Sequence, residues 1–222
     1  MYENLLCLPY FQGMSKDDIT AILDKVKLEF ITYNGNDTVR EKGEECRQFL
    51  ILTKGTLSSI TYASDNSYSI EEEHKAPYAL EPYSMFGYNT TYKRKYIAKG
   101  NCTALVIEKN YFFSEFSKQN IFMLNFLNLI SRKVQFQNKG IWDYTPKTIE
   151  GRIVSFIALR CESTSGYKKI HIKMERLGEI LCETRLKVSR ALNNLQEKGL
   201  ITLSRKEIHI PELEKLLHLI KD

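Results

Sequence analysis

No two of the five cysteines in this 222-residue chain form a C-x-x-C pair. Cys7, Cys46, Cys102, Cys161 and Cys182 stand far apart, so they offer no zinc or iron–sulfur ligand set, and their odd number does not suit a disulfide framework. They read as reduced, partly buried small hydrophobes. No apolar run approaches the roughly 20 residues that span a bilayer. The opening Met1-Tyr2-Glu3-Asn4 is neither basic nor followed by a signal-type apolar region, as expected of a cytoplasmic protein with no membrane contact. Internal repeats and low-complexity tracts are missing too. With 43% hydrophobic and 27% charged residues the composition is that of a folded globular protein, long enough for one large domain or two modest ones.

The net charge of +5 is unevenly placed. Residues 1–144 hold 17 Lys and Arg against 17 Asp and Glu, whereas residues 145–222 hold 15 against 10. A neutral body with a basic C-terminal third fits a module that faces an anionic partner; a solvated surface is the plainer reading of the same surplus.

The texture of the chain changes three times. Ser15 is placed to cap a short helix through Asp17, Asp18, Ile19, Ile22 and Leu23. From Lys27 to about Ile107, short β-rich runs (28–33, 49–53, 57–62, 68–72 and 103–107) alternate with turn signals such as Asn34-Gly35-Asn36-Asp37 and Lys54-Gly55. That spacing predicts an antiparallel barrel or sandwich. Residues 112–139 shift to a helical period, with Phe116, Ile121, Phe122, Leu124, Leu127, Leu129, Ile130, Val134 and Phe136 making an apolar face broader than one small core needs. A partner helix from a second subunit is the expected cover, burial within one chain the alternative. Trp142–Pro146 reads as a hinge, with Thr145 as N-cap and Pro146 at the first position of a helix through Ile149, Ile153, Phe156, Ile157 and Arg160.

Residues 173–210 form the most specific pattern. Leu177, Ile180 and Leu181 mark a short amphipathic helix, Cys182-Glu183-Thr184 a tight break, and a second helix runs from about Arg185 to Lys198. On a helical wheel Val188, Ala191, Leu192 and Leu195 share one side; Leu186, Ser189, Arg190, Asn193 and Glu197 share the other, with Arg185 at the exposed N-terminal end. Gly199 stops the helix, and strands at 200–203 and 207–210 flank a turn of Ser204-Arg205-Lys206. Two short helices followed by a hairpin are the layout of a winged helix-turn-helix, whose second helix enters the major groove of double-stranded DNA. Arg185 and Arg190 can each address guanine O6 and N7, while Thr184, Lys187, Ser189, Arg205 and Lys206 suit phosphate contacts. In an isolated helix the two arginines would be no more than a solvated face, Arg190 pairing with a nearby Glu.

Leu177-Gly178-Glu179-Ile180, Thr184-Arg185-Leu186-Lys187-Val188-Ser189-Arg190 and the run Leu192…Leu195…Lys198-Gly199-Leu200-Ile201 resemble the recognition motif of the Crp/Fnr transcription regulators. Gly35, Lys42-Gly43-Glu44 and Gly55 resemble the tight turns of that family's β-roll, Ala98 and 102–112 its end, and 116–139 its dimerisation helix. The resemblance covers nearly the whole chain. It implies an α+β protein with an N-terminal antiparallel, jelly-roll-like β-roll that senses an effector (1–111), a long dimerisation helix and hinge (112–144), and a C-terminal winged helix-turn-helix (145–222).

Two positions depart from the family pattern. Where the family has Glu after the first recognition arginine, this chain has Leu186, which cannot accept a hydrogen bond from cytosine but can pack on a thymine methyl. The expected half-site therefore differs from the common TGTGA-like one. In the sensor, Gly87 is followed by Tyr88, and Tyr92-Lys93-Arg94-Lys95 replaces the Arg-Ser-Ala type of phosphate cassette. Cyclic AMP is thus not the expected ligand. Gly87, Tyr88, Lys93 and Arg94 are the candidate effector contacts, with an exposed basic turn as the alternative for 93–95.

His74, His171, His209 and His218 are scattered, so no metal site is expected and no cofactor is identified. These features predict a non-enzymatic, homodimeric regulator on a pseudo-palindromic operator, with RNA polymerase and a small-molecule effector as further candidate partners. The β-roll would act on the winged helices through the dimer helix and hinge. The rivals are a constitutive DNA binder with a degenerate sensor and a cupin-like enzyme, which would need a metal-holding His cluster that the barrel region lacks.

Overall fold

A computed structural model describes residues 5–142 and 146–218, and of 136–142 the backbone alone. The expected hinge at 142–146 and the Thr145 cap lie largely outside the described residues. The chain divides into two compact units, residues 1–59 with 74–138, and residues 60–73 with 139–222. The stretch expected to be wholly β-roll therefore lends 14 residues, 60–73, to the C-terminal unit.

In unit 1 the predicted cap is present: Ser15 accepts from the Asp18 amide, and Asp18 accepts in return from the Ser15 amide at 3.1 Å, which starts helix α1 (Lys16–Leu23). Strands β1 (Glu29–Tyr33), β2 (Thr38–Arg40), β3 (Gln48–Lys54), β4 (Thr56–Tyr62), β5 (Tyr68–Lys75), β6 (Tyr78–Ala79), β7 (Lys95–Ala98) and β8 (Cys102–Glu108) follow. One antiparallel sheet runs β1-β8-β3-β6, and β5, β4, β7 and β2 are successive neighbours in the other. This is the expected roll. β2, β6 and β7 were not separable in the sequence because strands of two to four residues carry no alternation to read.

The 112–139 segment is not one helix. Helix α2 (Lys109–Ser114) and a 3₁₀ turn (Phe116–Lys118) precede helix α3 (Asn120–Trp142). The break folds the phenylalanines together: Phe112 lies 5.5 Å from Phe122 and 5.0 Å from Phe126, and Phe116 lies 4.9 Å from Phe122, all ring to ring. Phe122 and Phe126 thus belong to the core, while Ile121, Leu124, Leu127 and Val134 stay exposed along α3.

Unit 2 contains helix α4 (Ile149–Ala158), strand β9 (Lys168–Ile172), helices α5 (Met174–Leu181) and α6 (Arg185–Glu197), strands β10 (Thr202–Ser204) and β11 (Glu207–Ile210), and helix α7 (Leu213–Leu217). Helix α4 begins at Ile149, capped by the Thr148 hydroxyl on the Gly151 amide at 3.1 Å, so Pro146 lies before the helix and not at its first position. A Cβ on Gly151 would come within 2.6 Å of the Pro146 side chain, so this close approach needs glycine there. Ile153, Ile157, Ile170, Leu177, Val188, Leu192 and Ile208 fill the core, and Ile70 from β5 joins them.

Candidate nucleic-acid interface

Helices α5 and α6 are joined by a turn that only certain residues allow. Cys182 adopts the left-handed conformation (φ 52°), its amide donates to Glu179, and the Glu183 amide donates to the Gly178 carbonyl at 2.9 Å. A Cβ at Gly178 would sit 2.8 Å from the Glu183 carbonyl, so glycine is what lets the chain turn back so closely. Thr184 then caps α6, its hydroxyl accepting from the Lys187 amide. The turn is clamped from below. Arg152 of α4 donates to the Leu181 carbonyl at 3.0 Å and forms a short ion pair with Glu183, which also takes the Lys187 ammonium at 3.1 Å. The hydrogen bond from Arg152, then that from Lys187, holds the Glu183 carboxyl below the usual range.

The wheel reading of α6 matches the structure. Val188, Ala191, Leu192 and Leu195 are buried, and Arg185, Leu186, Lys187, Arg190, Asn193 and Glu197 are exposed, with Ser189 at the margin. Leu186 is 60% exposed on that same face. The two arginines are not equivalent. Arg185 Nε lies 3.3 Å from a carboxylate oxygen of Glu175 on α5, whereas Arg190 makes no hydrogen bond or ion pair with the described residues. The glutamate pairing anticipated for Arg190 falls on Arg185 instead.

The wing is a tight hairpin. Ser204 opposes Glu207, and Arg205 and Lys206 are exposed at the tip, Lys206 with φ 63°. Two bonds fix the wing: the Leu203 amide donates to Gln196 of α6 at 2.7 Å, and the Ile172 amide at the end of β9 donates to the Lys206 carbonyl at 2.8 Å. Thr184, Arg185, Leu186, Lys187 and Arg190 thus sit on the first turns of one helix, and Arg205 and Lys206 on the wing of the same unit. Sequence reading missed a polar groove of about 680 Å³ beside the wing, lined by Asn66 and Ser67 together with Lys173, Arg176 and Lys206. Its far wall comes from a hairpin more than 90 residues upstream, which no local pattern announces.

The candidate effector residues are arranged differently. Gly87 and Tyr88 lie on an exposed loop and Lys93 is exposed, but Arg94 is buried. The carboxylate of Glu81, wholly buried and left-handed at φ 36°, accepts from the Lys93 and Arg94 amides (2.9 and 3.1 Å), the Ser84 hydroxyl (2.9 Å) and the Tyr96 hydroxyl (3.2 Å). It also lies 3.5 Å from the Arg94 guanidinium, which donates to the Tyr83 hydroxyl. The exposed basic turn is therefore limited to Lys93; Arg94 points inward because a buried carboxylate needs a cation and donors. Among the described residues no cluster of His, Cys, Asp and Glu could hold a metal ion, and no helix is long and apolar enough to cross a membrane.

Residues 151–219 match the model of the Crp-like helix-turn-helix domain. Solved structures similar to the chain include the catabolite activator protein of Thermus thermophilus (13% identity, 96% of this chain and 98% of that one, TM-score 0.50). A protein of Eubacterium rectale described as a Crp/Fnr-family transcriptional regulator is similar at 16% identity (97% and 99% covered, TM-score 0.52). The sensor domain of the regulator DNR from Pseudomonas aeruginosa matches 63% of this chain over 96% of its own length (13% identity, TM-score 0.50). At these identities the likeness is one of fold. No match was found among curated protein sequences. The chain has the fold of the Crp/Fnr transcription regulators and carries a Crp-like helix-turn-helix domain at 151–219.

Proposed function

We propose that this protein is a sequence-specific, double-stranded DNA-binding transcription regulator without enzymatic activity that acts in the cytoplasm as a homodimer. The observation that carries the reading is the two-sided character of α6: a wholly buried face of Val188, Leu192 and Leu195 fixes the helix, and the opposite face offers Arg185, Leu186, Lys187 and Arg190 to a groove. The exposed apolar row of Ile121, Leu124, Leu127 and Val134 on α3 supports pairing with a second copy. Two-fold pairing puts half-site centres about one helical turn, roughly 34 Å, apart.

A second reading rests on the Glu81–Arg94 pair. The cation best placed to receive an anionic effector is already satisfied by an internal carboxylate, which favours a sensor that takes no phosphate-bearing ligand and a ligand-free protein that is competent for DNA. Selection of genomic fragments by purified, reduced, ligand-free protein at two salt concentrations tests both readings. One two-fold motif, bound more weakly as salt rises, supports regulator and ligand-free activity together. Binding that is blind to sequence refutes ligand-free activity, and the absence of any motif after screening anionic metabolites, haem and oxidants refutes the regulator.

A further inference from the structure

The polar groove beside the wing lies wholly within unit 2, and one wall of it is the turn between β4 and β5. Tyr68 of β5 opposes Ile172 of β9, and Glu72 opposes Lys168, so the sheet that ends in the wing continues into the 60–73 hairpin. The tip of that hairpin is a fixed turn. The Ala63 amide donates to the Tyr68 carbonyl and the Asn66 amide to the Ala63 carbonyl, both at 3.0 Å. Asn66 takes the left-handed conformation, which asparagine tolerates (φ 55°). Arg176 of α5 pins the turn with all three guanidinium nitrogens: Nε donates to Ser67 at 3.0 Å, and the other two to Asp65 at 2.7 Å and Glu179 at 2.9 Å. Asn66 of this turn and Lys206 of the wing tip therefore line one groove from two different, braced hairpins.

The charges along the groove do not cancel. Glu179 is held by Arg176, and Glu175 lies 3.3 Å from Arg185 Nε, so both carboxylates are engaged. Lys173, Lys206 and Asn66 are exposed, and none of their side chains has a hydrogen bond or ion pair with the described residues. The two lysines are neighbours in the fold: the Ile172 amide donates to the Lys206 carbonyl at 2.8 Å, and Lys173 is the next residue. The groove also adjoins the recognition face, because Glu175 and Glu179 line a second groove of about 540 Å³ together with Thr184, Arg185 and Lys187. Unengaged ammonium and amide donors match phosphate oxygens, and their continuity with the first turn of α6 selects duplex DNA as the source of those phosphates. We propose that the 63–67 turn is a second wing, which with Lys173 and Lys206 grips one strand of the DNA backbone outside the base pairs that α6 reads. This deepens the DNA-binding reading above and rests on it. Contacts of this kind add affinity and fix register without choosing a base, and each phosphate neutralised by a lysine adds about one to the salt slope.

The full-length protein and its selected operator, extended by flanking duplex, test the second wing. Single phosphates are replaced in turn by neutral methylphosphonates. At least one replacement outside the half-sites should weaken the unsubstituted protein by about three- to tenfold and leave Lys173→Ala unaffected. Lys173→Ala should bind every base variant of the operator more weakly by one common factor and lower the salt slope by about one. Asn66→Asp keeps the turn, since aspartate also tolerates the left-handed conformation, but sets a carboxylate against the backbone. It should weaken binding by about tenfold with base preference unchanged. The absence of any sensitive phosphate outside the half-sites refutes the proposal, as does Asn66→Asp binding like the unsubstituted protein. Should circular dichroism show that Asn66→Asp does not fold, the phosphate scan with Lys173→Ala decides. If no form binds an operator, the DNA-binding reading has failed and the second wing with it. An operator bound with its flanking phosphates unfelt leaves that reading standing and removes the second wing alone.

Discussion

Replacing Arg190 by alanine removes an exposed guanidinium that no described residue engages, so its whole hydrogen-bonding capacity is available to DNA. A bidentate arginine–guanine contact contributes about 1–3 kcal/mol, so Arg190→Ala should weaken operator binding by about 5- to 150-fold and relax the preference at one base pair. Arg185 starts from a different state because Glu175 lies 3.3 Å from its Nε. Both side chains are more than half exposed, at 70% and 58%, so that pair is worth about 0–1 kcal/mol, which DNA must displace or share. Arg185→Ala should therefore cost less than Arg190→Ala by up to about 1 kcal/mol. Glu175→Gln, which frees Arg185 and removes a negative charge beside the DNA face, should tighten binding by up to about fivefold. Fluorescence anisotropy on a selected operator, run at several salt concentrations with each base of the half-site varied, measures all three effects. An Arg190→Ala protein with unchanged affinity and base preference would refute the placement of α6 in the groove. Weaker binding by Glu175→Gln would show that the carboxylate positions Arg185 and does not compete for it.

Three further outcomes follow from packing and charge. Gly178→Ala forces a methyl to within 2.8 Å of the Glu183 carbonyl; thermal unfolding should show a loss of about 1–3 kcal/mol, and an unchanged Tm would mean the turn relaxes freely. Leu124→Asp in the exposed row of α3 should leave the fold intact by circular dichroism and shift sedimentation from dimer to monomer, whereas an unaffected dimer would place the subunit contact elsewhere. Glu183, whose carboxyl is held low by Arg152 and Lys187, contributes stability that is present above the unfolded carboxylate pKa and is lost as pH falls through its lower folded value. Glu183→Gln should flatten the acid limb of the stability curve of unit 2, and an identical acid limb would refute the clamp.

Much of the fold was legible because its signals are local. The Ser15 cap, the five long strands and the buried face of α6 each follow from neighbours within a few residues, and each is where the pattern puts it. What escaped depends on partners distant in sequence. The break between α2 and α3 is set by phenylalanines gathering around Phe49 and Phe122, and a helical period cannot report a change of direction. In the sequence Glu81 is one acid beside a proline; its role emerges only when the amides of Lys93 and Arg94 come within 3.1 Å. Pairing of β5 with β9 spans about a hundred residues and left no mark on either strand, since both alternate as ordinary half-buried strands do.

The charge argument led to the right module, but the structure changes what it means. Residues 145–222 carry a surplus of five positive charges, and the 60–73 hairpin brings four acids, Asp65, Glu71, Glu72 and Glu73, with no Lys or Arg. Most of the basic surplus is thus balanced inside unit 2: Lys168 by Glu72, Arg176 by Asp65, and Lys169 by Glu207 with a contribution from Glu71. A strongly basic domain would bind any duplex through counterion release and would owe little to sequence. A nearly neutral one, with Arg190 unengaged on α6 and Arg205 and Lys206 exposed at the wing tip, concentrates its positive charge where a groove and two flanking backbones would lie. The internal balancing of charge by the hairpin therefore favours discrimination over raw affinity.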